Sequence, residues 1–402
     1  MECLAAELCR VEGSLEGMAL LPTTLGTRPR LAVEIRPEGV VAARSEDALA
    51  VVSAVAYGTL AEGVVVPGLK AGNVAARGVA IAAVRKALEA VALKERQTTL
   101  VVPDASVRVL LLDFDTLPTK AGEALPVIRF RLKKLLPFDA DEAVVSYQVM
   151  SSNKTAVHVL AVAIPREVVW EYESVVREAG FEPGAVMPST LAACAGMAEM
   201  DAAALLVNAG ESSVTTAIVQ GGVLLLHRTV DLQAEGLHER LMAAALAAET
   251  MPLSLPLVDA DHSASEWSQQ APLNGYGVVD DHHIEAERLA QEIAAEVMAD
   301  PAVALEVEME AQKLTAVERE VTQAVSVAAA YFEDTLHMAP GVVLAAGTMG
   351  ADTLGTLLHE AGFGDGEMRV REMIDAAMLT GGAMSTRVPR GWMAGVRGAL
   401  RS

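Results

Sequence analysis

The sequence is poor in aromatic residues, which make up 3% of its 402 positions, and in cations, with 31 Lys and Arg against 53 Asp and Glu. The resulting formal charge of −22 excludes a nucleic-acid binder, which needs a basic face for phosphates. Cysteine is scarce too. Cys3, Cys9 and Cys194 make no CxxC pair and no disulfide framework. Free thiols fit a reducing compartment, so a cytoplasmic location is expected. No apolar run reaches the ~18–20 residues of a membrane-spanning helix; the richest, Ala156–Pro165 and Val321–Tyr331, are shorter or interrupted. Glu2, Glu7, Glu12 and Glu16 stand where a signal peptide carries cations. What the chain has in quantity is Ala, Val and Leu. Apolar residues reach 52%, enough for large cores, and the length predicts two to four compact units at ~100–200 residues each.

Residues 1–27 read as a leader of undetermined structure. Two β-branched runs, Arg30–Ile35 and Gly39–Ala43, flank Arg36-Pro37-Glu38 and predict a hairpin. A helical pattern over Asn73–Leu93 and a strand over Thr99–Pro103 complete a first unit, 28–105. Residues 106–188 then read β-α-β-β-α-β, a compact α+β order. Its first helix ends at Pro137, and its second ends at Gly180, a natural C-cap. A last unit, 189–383, has two strands around Asn208–Ser213, a Pro-, Ser- and Asp-rich loop insertion at 252–284, helices over 285–299 and 302–337, and a strand at Gly341–Ala346. Residues 384–402 form a basic amphipathic tail. No repeat of 20–50 residues is visible.

This ordered series resembles the PilM family, the actin-like cytoplasmic proteins of type IV pilus assembly. The carrying segments are Leu60–Val66, Thr99–Val107, Leu135–Phe138, Val145–Val149, Val162–Val168, Glu178–Pro183, Leu206–Ser213 and Val343–Thr348. The resemblance implies an α/β fold of two actin-like (ribonuclease H-like) lobes, with a small inserted α+β subdomain at 106–188. It also implies a groove for the short cytoplasmic N-terminal peptide of a bitopic inner-membrane protein, PilN, and contacts with pilus motor proteins. The expected role is a non-enzymatic cytoplasmic scaffold, peripheral to the inner membrane. Two alternatives stay open. One is an active ATPase or small-molecule kinase of the same superfamily. The other is the cytoplasmic part of a type II secretion protein of the GspL kind, although no span follows residue 380.

Actin-like proteins hold ATP and Mg between two hairpin turns of the form Asp-x-Gly-Ser/Thr, whose small residues let backbone N–H groups reach phosphate. Here the first turn is degenerate: Glu34 stands for the Asp, Arg36 for the Gly, and Pro37 removes a donor. The second keeps Gly210, Ser212 and Ser213 but has Asn208 for the Asp and adds Glu211. The third, nucleoside-side loop keeps Gly347 and Thr348. These are read as remnant nucleotide loops, and Arg36 as an internal cation in the vacated phosphate position.

Asp259, Asp261, His262 and the Asp280–His283 run offer ligand types in a predicted loop, where a solvated polar segment is expected rather than a metal site. Arg129, Arg131, Lys133 and Lys134 read as a solvated helix face, or as a docking face for an acidic partner or anionic lipid. In the tail, Arg390, Arg397 and Arg401 fall on one helical side. Trp392, Met393, Val396 and Leu400 fall on the other, the pattern of a helix lying on a membrane surface; the alternatives are a frayed basic tail or one that folds back onto the acidic body. Gly391, Gly395 and Gly398 weaken that helix by ~1 kcal/mol each.

Overall fold

A computed structural model describes residues 29–232 and 301–401, apart from 48, 154, 198–199, 201, 364–367 and 385–386; in the long helix the side chains described begin at residue 317. The leader 1–27, the loop 252–284 with its Asp and His residues, and the helix expected over 285–299 lie outside the described residues. Residues 1–233 and 318–402 form one compact unit and 234–317 a second.

Two five-stranded sheets form the frame of the first unit. One is built from β1 (Leu31–Ile35), β2 (Gly39–Ser45), β3 (Val52–Thr59), β4 (Gln97–Val102) and β8 (Glu182–Pro188), in the order β3-β2-β1-β4-β8. The second is built from β9 (Ala204–Ala209), β10 (Ser213–Gln220), β11 (Val223–Asp231), β12 (Val342–Gly347) and β13 (Arg369–Glu372), in the order β11-β10-β9-β12-β13. In each, the first three strands in sequence pair antiparallel and the last two add in parallel. One topology is thus used twice, without a sequence repeat to announce it.

Strand β1 is buried along its whole length because it is central and both its faces are covered. Leu31, Val33 and Ile35 pack into a core with α1 (Arg77–Val91) and α3 (Arg166–Glu178), through residues such as Val84, Leu88, Tyr172 and Val176. The opposite face, starting with Ala32, joins a core that runs through α4 (Ser189–Ala195) to Leu206 and Leu344 of the second sheet. By the two-residue period, Glu34 belongs to this second face.

The inserted subdomain is smaller than the expected 106–188. Its sheet has three strands, β5 (Arg108–Phe114), β6 (Ala143–Ser152) and β7 (Val157–Pro165), in the order β5-β7-β6. Ile128 and Leu132 of α2 (Ala121–Leu132) pack in one core with Leu112, Val159 and Ala161. The last helix and strand of that span return to the first lobe. α3 contributes Tyr172 and Val176 to the lobe's core, and β8 pairs in parallel with β4. A β-α-β-β-α-β order in sequence does not say which sheet the last strand joins. Arg108 pairs with Ala163, so the subdomain leaves and re-enters the lobe at adjacent points. Strand β3 was not expected; its small, half-exposed residues carry little periodic signal.

The segment between β3 and α1 is tied down by polar contacts. The Glu171 carboxylate on α3 accepts the backbone N–H groups of Gly72, Asn73 and Val74 at 3.0, 3.0 and 2.8 Å. Asn73 Oδ1 accepts from Ser106 Oγ at 2.7 Å and from Tyr172 Oη at 3.2 Å. Glu171→Ala is expected to cost about 2 kcal/mol and to speed amide exchange at residues 72–74, since it leaves three donors without their charged acceptor. Hydrogen-exchange mass spectrometry reads this directly; unchanged protection there would refute the anchoring role.

Candidate functional site

The two hairpin turns singled out in the sequence face each other across a cleft between the lobes. The first closes through Arg36 N–H to Gly39 C=O at 2.9 Å and Gly39 N–H to Arg36 C=O at 3.3 Å, with Pro37 and Glu38 at its tip. The second closes through Gly210 N–H to Ser213 C=O at 3.0 Å. Arg36, Pro37, Asn208, Gly210, Ser212 and Ser213 all line the cleft.

Arg36 lies within the cleft, only 5% exposed. Its Nε donates to Glu34 Oε1 at 2.6 Å, and its Nη2 donates to Ser189 Oγ at 3.0 Å and Asn208 Oδ1 at 3.4 Å. Ser189, at the start of α4, in turn donates to Glu34 Oε1 at 2.6 Å. Asn208, near the end of β9, sends its Nδ2 to Ser189 Oγ at 3.0 Å, Thr190 Oγ1 at 2.9 Å and Asp104 Oδ2 at 3.4 Å. Asp104, just after β4, also accepts Thr190 Oγ1 at 2.5 Å and Thr190 N–H at 3.1 Å. Glu38 reaches across from the first turn and accepts the Glu211 N–H of the second at 2.5 Å. The network therefore joins both lobes and α4.

Burial pushes the Glu34 carboxyl up from its ordinary range; the Arg36 guanidinium and the Ser189 hydroxyl oppose this. Burial by itself would lower Arg36, but Glu34, Glu38 and Asp104 more than reverse that and raise it, so the guanidinium stays charged.

The third loop meets the second rather than the cleft. Gly347 has φ +86° and approaches so closely that a Cβ there would lie 2.1 Å from the Ala209 carbonyl oxygen. Thr348 N–H donates to that same oxygen at 2.8 Å. The other side of Gly347 is covered by Gly391, where a Cβ would lie 2.5 Å from the Gly347 carbonyl oxygen.

That cover is the tail, and it corrects the expectation of a membrane-surface helix. Arg390–Met393 form a 3₁₀ turn and Ala394–Leu400 form α7, counting Pro301–Leu336 as α5 and Ala351–Glu360 as α6. Met393, Val396 and Leu400 are buried, and Trp392 is 9% exposed and meets Tyr57 edge to face at 6.2 Å. Arg397 is also buried, and Arg401 Nη1 donates to the Gly196 carbonyl at 3.5 Å; of the three expected basic-face residues Arg390 alone is exposed. The apolar face is real, but protein covers it. The glycines that weaken an isolated helix are contact points here: a Cβ at Gly395 would lie 2.4 Å from Glu34 Oε2, and one at Gly398 1.7 Å from the Ala192 carbonyl oxygen. Among the described residues no helix is long and apolar enough to cross a membrane.

No family model matches the sequence, and no curated protein matches it. Among solved structures the chain is similar to one in the PilM-PilN type IV pilus biogenesis complex, with a TM-score of 0.59, 15% identity, and 93% of this chain and 98% of that chain covered. The fold is actin-like. Further likenesses are to the ethanolamine utilization protein EutJ of Carboxydothermus hydrogenoformans (TM-score 0.41, 12% identity, 92% and 89% covered). Another is to the cytoplasmic domain of EpsL, an inner membrane component of the type II secretion system of Vibrio cholerae (TM-score 0.33, 14% identity, 60% and 90% covered).

An actin-like cleft raises the question of ATP and Mg, and the donor set here does not fit them. Glu34, Glu38 and Asp104 are the charges that act on the one guanidinium in the cleft. Pro37 has no N–H, Gly210 N–H is used within its own turn, and Glu211 N–H is used by Glu38. The free cavity is about 20 Å³, the space of a water molecule or so. Sequence reasoning found both turns and Arg36 but missed Asp104, Ser189 and Thr190. Their only trace is a polar residue after each of two prolines, Pro103 and Pro188.

Proposed function

We propose that the chain is a non-enzymatic scaffold of type IV pilus assembly that binds the cytoplasmic N-terminal peptide of a PilN-like bitopic membrane protein. The observation that carries this reading is the likeness to a chain of the PilM-PilN complex over 93% of this chain and 98% of that one. The proposed location of the peptide is between the first lobe and the unit built on the small sheet β5-β7-β6. An extended peptide held there would be bound by main-chain hydrogen bonds and a few side-chain pockets. Such a scaffold sits on the cytoplasmic face of the inner membrane through its partner and passes contacts to the pilus motor.

The test is binding of the N-terminal peptide of a PilN-like protein from the same genome, followed by fluorescence anisotropy. The full chain should bind. A variant in which a short Gly-Ser linker replaces residues 109–162, whose ends are neighbours because Arg108 lies opposite Ala163, should not, and a retained cooperative melting transition is the check that it is folded. Binding by the excised variant would move the groove elsewhere, and no binding by the full chain would end the reading.

A further inference from the structure

The cleft between the lobes is arranged around a cation that belongs to the chain. Arg36 comes from the turn after β1, and it meets a carboxylate from β1, a hydroxyl from α4 and an amide oxygen from β9. Its charge is further balanced by Glu38 and Asp104. The second turn is satisfied in the complementary sense: the N–H of Glu211, in a turn of the kind that receives phosphate in nucleotide-binding relatives of the fold, holds the Glu38 carboxylate instead. Gly210 makes room for it, since a Cβ there would lie 2.7 Å from Glu38 Oε1.

We propose that the cleft is self-liganded: the Arg36 guanidinium takes the place of a bound cation, the Glu38 carboxylate takes the place of a bound anion, and together they fix the two lobes in one position without a small molecule. This goes beyond the scaffold reading and does not depend on any partner. It assigns a ligand class to the site once it is emptied. With Arg36 shortened, the Glu34 carboxylate, the Ser189 hydroxyl and the Asn208 amide oxygen face a hole shaped by a planar fork, with the charges of Glu38 and Asp104 nearby, so the hole should accept a free guanidinium and still reject a nucleotide.

Thermal unfolding of the full chain tests this, using wild type, Arg36→Ala and Arg36→Lys. Each is measured alone, with low-millimolar methylguanidinium, with methylammonium as a control, and with ATP and Mg. Wild type should respond to none of them. Arg36→Ala should melt about 5 °C or more lower, because buried carboxylates lose their partner. Methylguanidinium should recover part of that loss, and methylammonium should not. Arg36→Lys should fall between, since it keeps the charge without the fork. A wild type stabilised by ATP and Mg would overturn the proposal. So would an Arg36→Ala variant that melts like wild type or ignores methylguanidinium. If Arg36→Ala does not fold, the pair Glu34→Gln with Arg36→Gln should be more stable than Arg36→Gln alone; equal or lower stability also overturns it.

Discussion

Cutting the chain before Arg390 is expected to unfold the first unit rather than to release it from a membrane. The segment inserts Trp392, Met393, Val396 and Leu400 into the core shared by the two sheets. At ~1.5–3 kcal/mol for each buried large apolar side chain, these four contribute about 6–12 kcal/mol. Whole domains are stable by only ~5–15 kcal/mol. The truncated chain should therefore lose its cooperative melting transition and most of its soluble yield. Point variants separate packing from charge. Gly398→Val places carbon against the Ala192 carbonyl, which cannot retreat without shifting α4, and should cost at least ~3 kcal/mol. Arg390→Ala removes an exposed cation and should change stability by less than ~0.5 kcal/mol. A truncated chain that melts like the full one would show that the segment's burial contributes little.

Placing an acid at the second turn, as in the Asp-x-Gly pattern of actin-like proteins, should damage the protein rather than activate it. Asn208 donates through Nδ2 to Ser189, Thr190 and Asp104. Asn208→Asp removes every one of those donations and adds a carboxylate beside Asp104 and within reach of the Glu34–Arg36 pair. The expected loss at neutral pH is about 1–3 kcal/mol, the scale for buried polar groups left without their donors, because Arg36, which already donates to the 208 side chain, offsets part of the new charge. Its pH dependence has a definite sign. Burial and the nearby Asp104 hold the new carboxyl above its unfolded value, as burial already does for Glu34. A raised carboxyl binds more protons in the folded state. Stability is thus retained below the ordinary carboxylate range and lost as pH rises through the raised value. Urea midpoints for the variant should fall from pH 5 to pH 8 relative to wild type. A variant as stable as wild type at pH 8, or one that gains ATP binding, would refute the account.

The sequence made some parts of this molecule readable and hid others for identifiable reasons. Strands β1, β2 and β4 and both turns were legible, because hairpins and turns are written in consecutive residues. The third lobe-1 hairpin strand was not, since Ala54, Ala56 and Gly58 do not mark a face. The fate of α3 and β8 was hidden because pairing with β4 spans some 80 residues. The tail was misread for the same reason in sharper form. Helix propensity counts Gly391, Gly395 and Gly398 as losses because it sees only neighbours in sequence. Their partners Gly347, Glu34 and Ala192 lie far away along the chain, and only Gly allows those approaches. Amphipathic periodicity found the correct apolar face and could not say whether lipid or protein would cover it.

The packing of α7 on β1 also sets an order of events during synthesis. Glu34 and Gly395 are neighbours in the folded protein, yet some 360 residues separate them. At ~5–20 residues per second, a ribosome takes about 20–70 s to travel that distance. Once β8 has been made, the face of the first sheet that carries Glu34 still waits for this part of its cover. The first lobe is therefore begun early and can be completed only when residues 390–400 have been made.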